Sequence, residues 1–332
     1  MNIKISAIIC THNRAAYLEK AIHGLIGQTL PKEQYEIIVV DNASTDGTRQ
    51  LLGSRYQVSG SRCQVLGDRY KDRSETSNLK PSIYNLTPDT CNLKYIYEPT
   101  IGLSQARNTG WKNAQGEYVA YLDDDAVAAL DWLEKIIEAF ESINPQPGCI
   151  GGKVEPVWEA PRPEWLSDSL LGQLAIVDWG DQPKSLDNQE WLAGANIAYP
   201  KRLLEEIGGF SVKLGRIGNK LLSMEENLMR LELEKRNYKF YYDANIAVKH
   251  HIPASRLTKK WLLKRSYWNG VSGAIVNIEQ NQLAMPRRFY RGLLTLLKIF
   301  FSFKWLIFAD FKTKCAIYGS GGYIMAMWGL VR

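Results

Sequence analysis

The apolar run Tyr118-Val119-Ala120-Tyr121-Leu122 ends on three consecutive carboxylates, Asp123-Asp124-Asp125. Adjacent carboxylates repel unless a cation or a set of N–H groups offsets their charge. Two resolutions are open: a divalent ion held among them, or an acidic turn in which Asp124 or Asp125 caps a following helix. A second pattern, Ser223-Met224-Glu225-Glu226, also reads two ways. It is a capping box, with Glu226 placed for an i,i+4 pair with Arg230. Alternatively it presents Glu226 as a general base, its carboxylate kept ionised by the positive end of a helix. His250 follows the β-rich Ile246-Ala247-Val248 and is either a surface histidine or a ligand at a strand end.

Several common chemistries are missing. His12, His23, His250 and His251 are the only histidines, and none sits in an H-E-x-x-H, so hydrolytic zinc chemistry is not indicated. The first apolar run lacks G-x-G-x-x-G, and no G-x-x-x-x-G-K-[ST] occurs. Phosphate groups therefore have no glycine-rich backbone cradle, and a metal is left to hold them. A divalent ion in that role offsets the charge of a nucleoside diphosphate leaving group.

These residues need elements to carry them. Ile3 to Cys10 is β-rich, and Leu18, Ala21, Ile22 and Leu25 recur at helical spacing between Ala15 and Gln28. Tyr35 to Val40 reads as a strand, Arg49 to Leu52 as the start of a helix, and residues 53–93 as a polar insertion loop. Strand Leu93 to Glu98, helix Ser104 to Asn113 and strand Tyr118 to Leu122 follow, then helix Trp132 to Ile143 and strand Cys149 to Val154. Alternating strands and helices predict an α/β fold with a parallel sheet. In such sheets ligands bind at the carboxyl ends of the strands, where Thr11 to Arg14, Asp41 to Gly47 and the Asp triplet all fall. After Pro156 the pattern is less regular. It predicts a strand within Glu190 to Tyr199, a helix from Arg202 to Ile207 and a helix of about 13 residues after Ser223. Strands at Lys239 to Asp243 and Ile246 to His250 complete it.

The chain has 332 residues, 45% of them hydrophobic, and a net charge of +6. That is enough for one large domain with an appendage, or for two. From Ile252 onward 13 Lys/Arg face only Glu279 and Asp310, while the first 251 residues carry a net charge of −5. The basic tail interleaves its charges with long aliphatic runs, Leu293 to Ala309 and Cys315 to Val331, both near the short end for spanning a bilayer. An interfacial helix pair or shallow hairpin on an anionic membrane is expected, against the alternative of a helical subdomain packed on the core. Nucleic acid is not the expected partner, because no isolated aromatics line a basic groove. Five scattered cysteines without C-x-x-C spacing fit a reducing cytoplasm, and Met1 to Cys10 is too short for the hydrophobic region of a signal peptide.

Four motifs in order carry a resemblance: Cys10-Thr11-His12-Asn13-Arg14, Val39-Val40-Asp41-Asn42-Ala43-Ser44-Thr45-Asp46, Gly102-Leu103-Ser104-Gln105-Ala106-Arg107-Asn108 and Tyr121-Leu122-Asp123-Asp124-Asp125. Together they resemble the nucleotide-binding motifs of family 2 glycosyltransferases. The resemblance covers residues 1 to about 252 and implies a GT-A fold: a mixed, mostly parallel, Rossmann-like sheet flanked by helices. Its domain would be 1–252, divided into a nucleotide-binding half (1–154, with the 53–93 insertion) and an acceptor-binding half (155–252). The basic, apolar, membrane-associating helical extension would be 253–332.

The resemblance also implies roles. Thr11, Asn13, Arg14 and Gly102 would line the nucleotide-sugar site. Asp41 would meet the base, with Ser44 and Arg107 supporting that pocket. Asp123 and Asp124 would approach the ribose and diphosphate, and Asp125, with His250 nearby, would bind Mn²⁺ or Mg²⁺. Trp191, Asn196 and Glu225 would face the acceptor, and Glu226 would be the base of an inverting transfer. The implied donor is a nucleoside-diphosphate sugar, UDP-linked before others, the acceptor a saccharide or lipid-linked saccharide, and the location the cytoplasmic face of a membrane. Two rival readings remain at this point, a non-catalytic sugar-binding module and a nucleotidyltransferase. The first conflicts with the retained carboxylates, the second with the absence of glycine between Thr11 and Ala15.

Overall fold

A computed structural model describes residues 3–55, 82–86, 92–281, 285–302 and 310–331. Most of the 53–93 insertion and part of the apolar run Leu293 to Ala309 lie outside the described residues. Ten strands form one sheet: β1 (Ile5–Thr11), β2 (Tyr35–Asp41), β3 (Ser82–Leu86), β4 (Asn92–Tyr97), β5 (Tyr118–Asp123), β6 (Ala126–Ala128), β7 (Cys149–Trp158), β8 (Lys184–Ser185), β9 (Asn196–Pro200) and β10 (Phe240–Ile252). Their order is β3-β4-β2-β1-β5-β9-β7-β10-β6, with β8 against β10. The helices are α1 (Ala15–Ile26), α2 (Thr48–Arg55), α3 (Leu103–Lys112), α4 (Trp132–Ser142), α5 (Lys201–Ile207), α6 (Glu225–Glu234), α7 (Lys259–Asn281), α8 (Met285–Ser302) and α9 (Phe311–Met327).

The N-terminal part of the sheet follows the expected alternation. Strands β4, β2, β1 and β5 are mutually parallel. β2 is buried along its whole length, and all but Cys10 of β1 is buried too, which is why both are near-continuous apolar runs. Register matters most for the site: Thr11 pairs with Asp41, and Cys10 with Asp123. The carboxyl ends of three strands therefore finish level with one another, on one edge of the sheet.

Beyond β5 the sheet reverses. β9 runs antiparallel to both β5 and β7. The two strands expected at 239–243 and 246–250 are one strand, β10, interrupted by a bulge between Asp243 and Val248. β6 pairs with the end of β10, setting His250 opposite Ala126. The insertion range is not wholly loop, since β3 pairs antiparallel with β4. The strand expected from Glu190 narrows to Asn196–Pro200, because a turn closed by the Asn196 N–H on the Ala193 carbonyl precedes it.

Helices α7 and α9 pack onto the second half of the chain through a second apolar cluster. Leu166, Leu170 and Leu174 pack with Ile252, Leu257, Leu262 and Cys315, joining the 168–174 turn to α7 and α9. α7 had no counterpart in the sequence pattern. Gly270 and Gly322 let α7 and α9 approach backbone to backbone: a Cβ on Gly322 would strike the Tyr267 carbonyl, and one on Gly270 the Gly319 carbonyl. Gly322 of the second apolar run thus serves helix packing. No helix among the described residues is long and apolar enough to cross a membrane. Cys10, Cys149 and Cys315 are free thiols.

Candidate active site

The Asp triplet sits on a turn between two strands. β5 ends at Asp123 and β6 begins at Ala126, so no helix follows for Asp124 or Asp125 to cap. Asp124 turns inward, accepting the Thr11 hydroxyl at 2.7 Å and the Arg14 guanidinium at 3.0 Å. Asp125 accepts Arg14 at 2.5 Å and Arg256 at 3.2 Å, and lies 3.1 Å from His250 Nε2. The His251 N–H donates to the Asp125 carbonyl, and the His251 ring faces away to pack on Tyr17. Strand alternation thus selects His250 over its neighbour.

These surroundings separate two adjacent carboxyls. Burial pushes Asp125 up, but the His250 hydrogen bond and the charges of His250, Arg14 and Arg256 outweigh it and hold the group well below the carboxylate range. For Asp124 burial wins, helped by the charge of Asp125, and the group is pushed up to about 6 despite Arg14 and Thr11. Asp123, Asp125 and His250 offer ligand atoms that all lie within 4.8 Å of one another. Hard carboxylate oxygens with one imidazole suit Mn²⁺ or Mg²⁺. His250 Nδ1 is buried without a hydrogen-bond partner. Asp124, spoken for by Thr11 and Arg14, is outside this set.

The second carboxylate group stands at the start of α6. Arg107, almost wholly buried, reaches Glu225 at 2.6 Å, Glu226 at 3.6 Å and Asp123 at 3.7 Å. It bridges the triplet and α6. The Gly194 N–H donates to Glu226 Oε1 at 3.0 Å. A Cβ at Gly194 would collide with both Arg107 and Glu226, so glycine is what allows the carboxylate, guanidinium and backbone to meet. Burial and the charge of Glu225 push Glu226 up to about 7, against the pull of Arg107. Burial lowers the Arg107 guanidinium, but Glu225, Glu226 and Asp123 reverse that and hold it far above its usual value.

The capping-box reading of this segment is overturned. Met224, in the left-handed region at φ 69°, precedes the helix and makes no side-chain cap. The Ser223 hydroxyl instead donates to Asn269 on α7, and its N–H donates to Ser272. Arg230 pairs with Glu234 at 2.6 Å and donates to the Asp187 and Glu190 carbonyls, leaving Glu226 aside.

Other expected residues also hold the loops around the site in place. Asp41 is buried, accepting Tyr95 OH at 2.8 Å and the Ser44 N–H at 2.9 Å. The Ser44 hydroxyl accepts the Asn13 N–H, and the Asn13 amide oxygen accepts the N–H groups of Thr45 and Asp46. Asn13, Asp41 and Ser44 thereby lock the loops after β1 and β2 together. The Gly102 N–H donates to Asn42, fixing the turn into α3. Asn196 does not face an acceptor. It is fully buried and spends its amide on the Lys153 and Ile246 carbonyls and on Trp132 Nε1.

Two cavities meet over this ground. One, of about 390 Å³, is walled by Thr11, Arg14, the Asp triplet and His250. The other, of about 350 Å³, is walled by Arg107, Trp191, Gly194, Glu225 and Glu226. Both fall in the size range of small-molecule sites. Arg216, Arg256, Trp261 and Arg265 also line the first cavity, and no sequence motif pointed to them. Arg256 and Arg265 belong to the basic excess after Ile252, so part of that charge faces the site and not a surface.

Residues 6–151 match the family described as glycosyl transferase family 2. Over 302 residues, 90% of this chain and 85% of the relative, the chain is 24% identical to the glucosyl-dolichyl phosphate glucuronosyltransferase of Haloferax volcanii. It is 23% identical over 289 residues (82% of this chain, 74% of the relative) to a protein of Methanococcus voltae. That protein is the dolichyl N-acetyl-alpha-D-glucosaminyl phosphate 3-beta-D-2,3-diacetamido-2,3-dideoxy-beta-D-glucuronosyltransferase. The fold superposes on a mannosyltransferase from Pyrobaculum calidifontis in complex with GDP-Man and Mn²⁺, with a TM-score of 0.56 and 19% identity, covering 99% of this chain and 88% of that one. Residues 6–151 thus carry a glycosyl transferase family 2 domain, and the chain is a glycosyltransferase on the GT-A fold.

Proposed function

We propose that this glycosyltransferase uses a nucleoside-diphosphate sugar, UDP-linked before others, and joins its sugar with inversion to a hydroxyl of a lipid-linked saccharide. The observation that carries the reading is the Arg107 guanidinium, with Asp123 of the metal-fitting cluster near one terminal nitrogen and Glu225 and Glu226 near the other. Donor and acceptor chemistry would then meet within the length of one side chain.

Asp123, Asp125 and His250 would hold Mn²⁺ or Mg²⁺, which when bound offsets the charge of the departing diphosphate. Glu226 accepts the proton of the acceptor hydroxyl. The hydroxyl oxygen bonds to the anomeric carbon as the bond from that carbon to the diphosphate breaks, and the nucleoside diphosphate leaves with the electron pair. A carboxyl near 7 is matched to this task, because it exchanges a proton with an alcohol partner near neutral pH. Arg107 keeps the two ends in register and Trp191 walls the acceptor cavity. The test is release of nucleoside diphosphate from UDP-, GDP- and dTDP-sugars with and without Mn²⁺. We expect release that EDTA abolishes; no release from any donor, or release indifferent to metal, would refute the reading.

The relatives named above act, by name, on sugar-bearing dolichyl phosphates, which favours a lipid-linked acceptor here. On α8, Tyr290, Leu293, Leu294 and Leu297 recur at i, i+3, i+4 and i+7 and stand 37% to 61% exposed, with Arg287 and Arg291 nearby. An apolar stripe with arginines beside it suits the surface of an anionic membrane on its cytoplasmic face. The chain should sediment with vesicles containing phosphatidylglycerol and less with phosphatidylcholine alone. The Leu294→Glu/Leu297→Glu variant should stay in the supernatant, and its sedimenting like the parent would remove α8 from the account.

A further inference from the structure

Five arginines reach the two cavities, and they differ in what they already hold. Arg14, Arg107 and Arg256 each lie within ion-pair distance of at least one carboxylate. Arg216 and Arg265 have no carboxylate partner at that distance among the described residues. Both line both cavities, so they stand on the boundary between the metal-fitting cluster and Glu226.

Their positions are built. The Arg216 carbonyl accepts the Leu103 N–H at the start of α3, and the next residue begins a tight turn closed between Ile217 and Lys220. Arg265, on α7, donates to the Leu221 carbonyl at 2.8 Å and to the Gln173 carbonyl at 3.4 Å. Gln173 is held in turn by the Ser266 hydroxyl. Burial, with the repulsion of Arg265 and Arg256, lowers Arg216 to about 9. Burial, with the repulsion of Arg256, lowers Arg265 to about 10, and the charges of Glu225 and Glu226 do not reverse it. Two poorly solvated guanidinium groups without a counter-ion are costly unless an anion arrives to meet them.

We infer that Arg216 and Arg265 form an oxyanion subsite at this boundary, distinct from the metal-fitting cluster, which reads a carboxylate or phosphate carried next to the bond being made. The inference rests on the donor and acceptor sides proposed above. Two sources have that chemistry: a carboxylate on the transferred sugar, or the phosphate that links the acceptor sugar to its lipid. Guanidinium forks fit either in bidentate fashion, and charge-assisted bonds of this kind are the stronger class.

The experiment uses the full chain with Mn²⁺ and reads affinity by calorimetry for parent, Arg216→Gln, Arg265→Gln and the charge-keeping Arg265→Lys. The donor arm compares UDP, UDP-glucose and UDP-glucuronic acid, repeated with the guanosine and thymidine series if uridine does not bind. The acceptor arm compares citronellyl phosphate with citronellol. We expect the Gln variants to lose about tenfold for the charged member of one arm relative to its neutral partner, with Arg265→Lys recovering part of the loss. UDP itself should change less than about twofold, which also reports an intact fold. Unchanged ratios in both arms, or an equal loss for UDP, would overturn the subsite. If no nucleotide binds the parent chain, the donor reading itself fails, which is a separate result.

Discussion

Carboxylates at the end of β5 and at the start of α6 meet at the two terminal nitrogens of the Arg107 guanidinium, and their surroundings shift Asp125 and Glu226 in opposite directions. At the end of β5, Asp125 gathers His250, Arg14 and Arg256 and is held ionised, ready for a cation. At the start of α6, Glu226 has one backbone N–H and a share of Arg107, and burial beside Glu225 moves it up to about 7. On the proposed function, similar side chains thus serve as a charge holder and a proton acceptor. The difference comes from how many cations each carboxylate is given, not from residue type.

The largest expected effect breaks the charge-holding end. Asp125→Asn removes one ligand of the metal-fitting set and a partner of Arg14, Arg256 and His250, so Mn²⁺-dependent nucleotide binding and turnover should both vanish into background. Calorimetry with UDP and Mn²⁺ checks this, and near-parent affinity would separate Asp125 from the metal.

A smaller effect tests the proton-accepting end by pH. A base must be ionised, and Glu226 loses its proton only as pH rises through about 7. The transfer rate should therefore be about tenfold lower at pH 6 than at its alkaline plateau. A flat profile from pH 6 to 8 would contradict the assignment.

The smallest effect is on stability. Between the ordinary glutamate value of 4.5 and about 7 the folded chain binds a proton that the unfolded chain does not, so stability falls as pH rises through that window. Glu226→Gln removes this penalty. Its melting temperature at pH 8 should equal or exceed the parent's by a few degrees, and a clear drop would show that Glu226 serves the fold.

Much of this arrangement was legible in the residues, for physical reasons. β1, β2 and β5 are strands buried on both faces, so their apolar runs are continuous and their ends carry the polar motifs. Local patterns misled where tertiary partners outbid them. Ser223 has the spacing of a cap but finds Asn269 and Ser272 on α7, an element the charge and hydropathy pattern did not reveal. Asn196 sits in an acceptor-like motif, yet its amide closes two contacts inside the sheet and one to Trp132 of α4. Arg107 was readable as a motif residue but not as a bridge, since its partners lie 16 to 119 positions away. Arg216 and Arg265 have no motif at all; the hold of α3 on the Arg216 carbonyl and the docking of α7 beside the 168–174 turn bring them to the cavities.

The division of labour between the two carboxylate pairs is tested most directly by Glu226→Gln, assayed for nucleotide affinity with Mn²⁺ and for sugar transfer in the same preparation. The account predicts affinity within about twofold of the parent and transfer reduced by roughly 10²- to 10⁴-fold. Transfer at the parent's rate would contradict it.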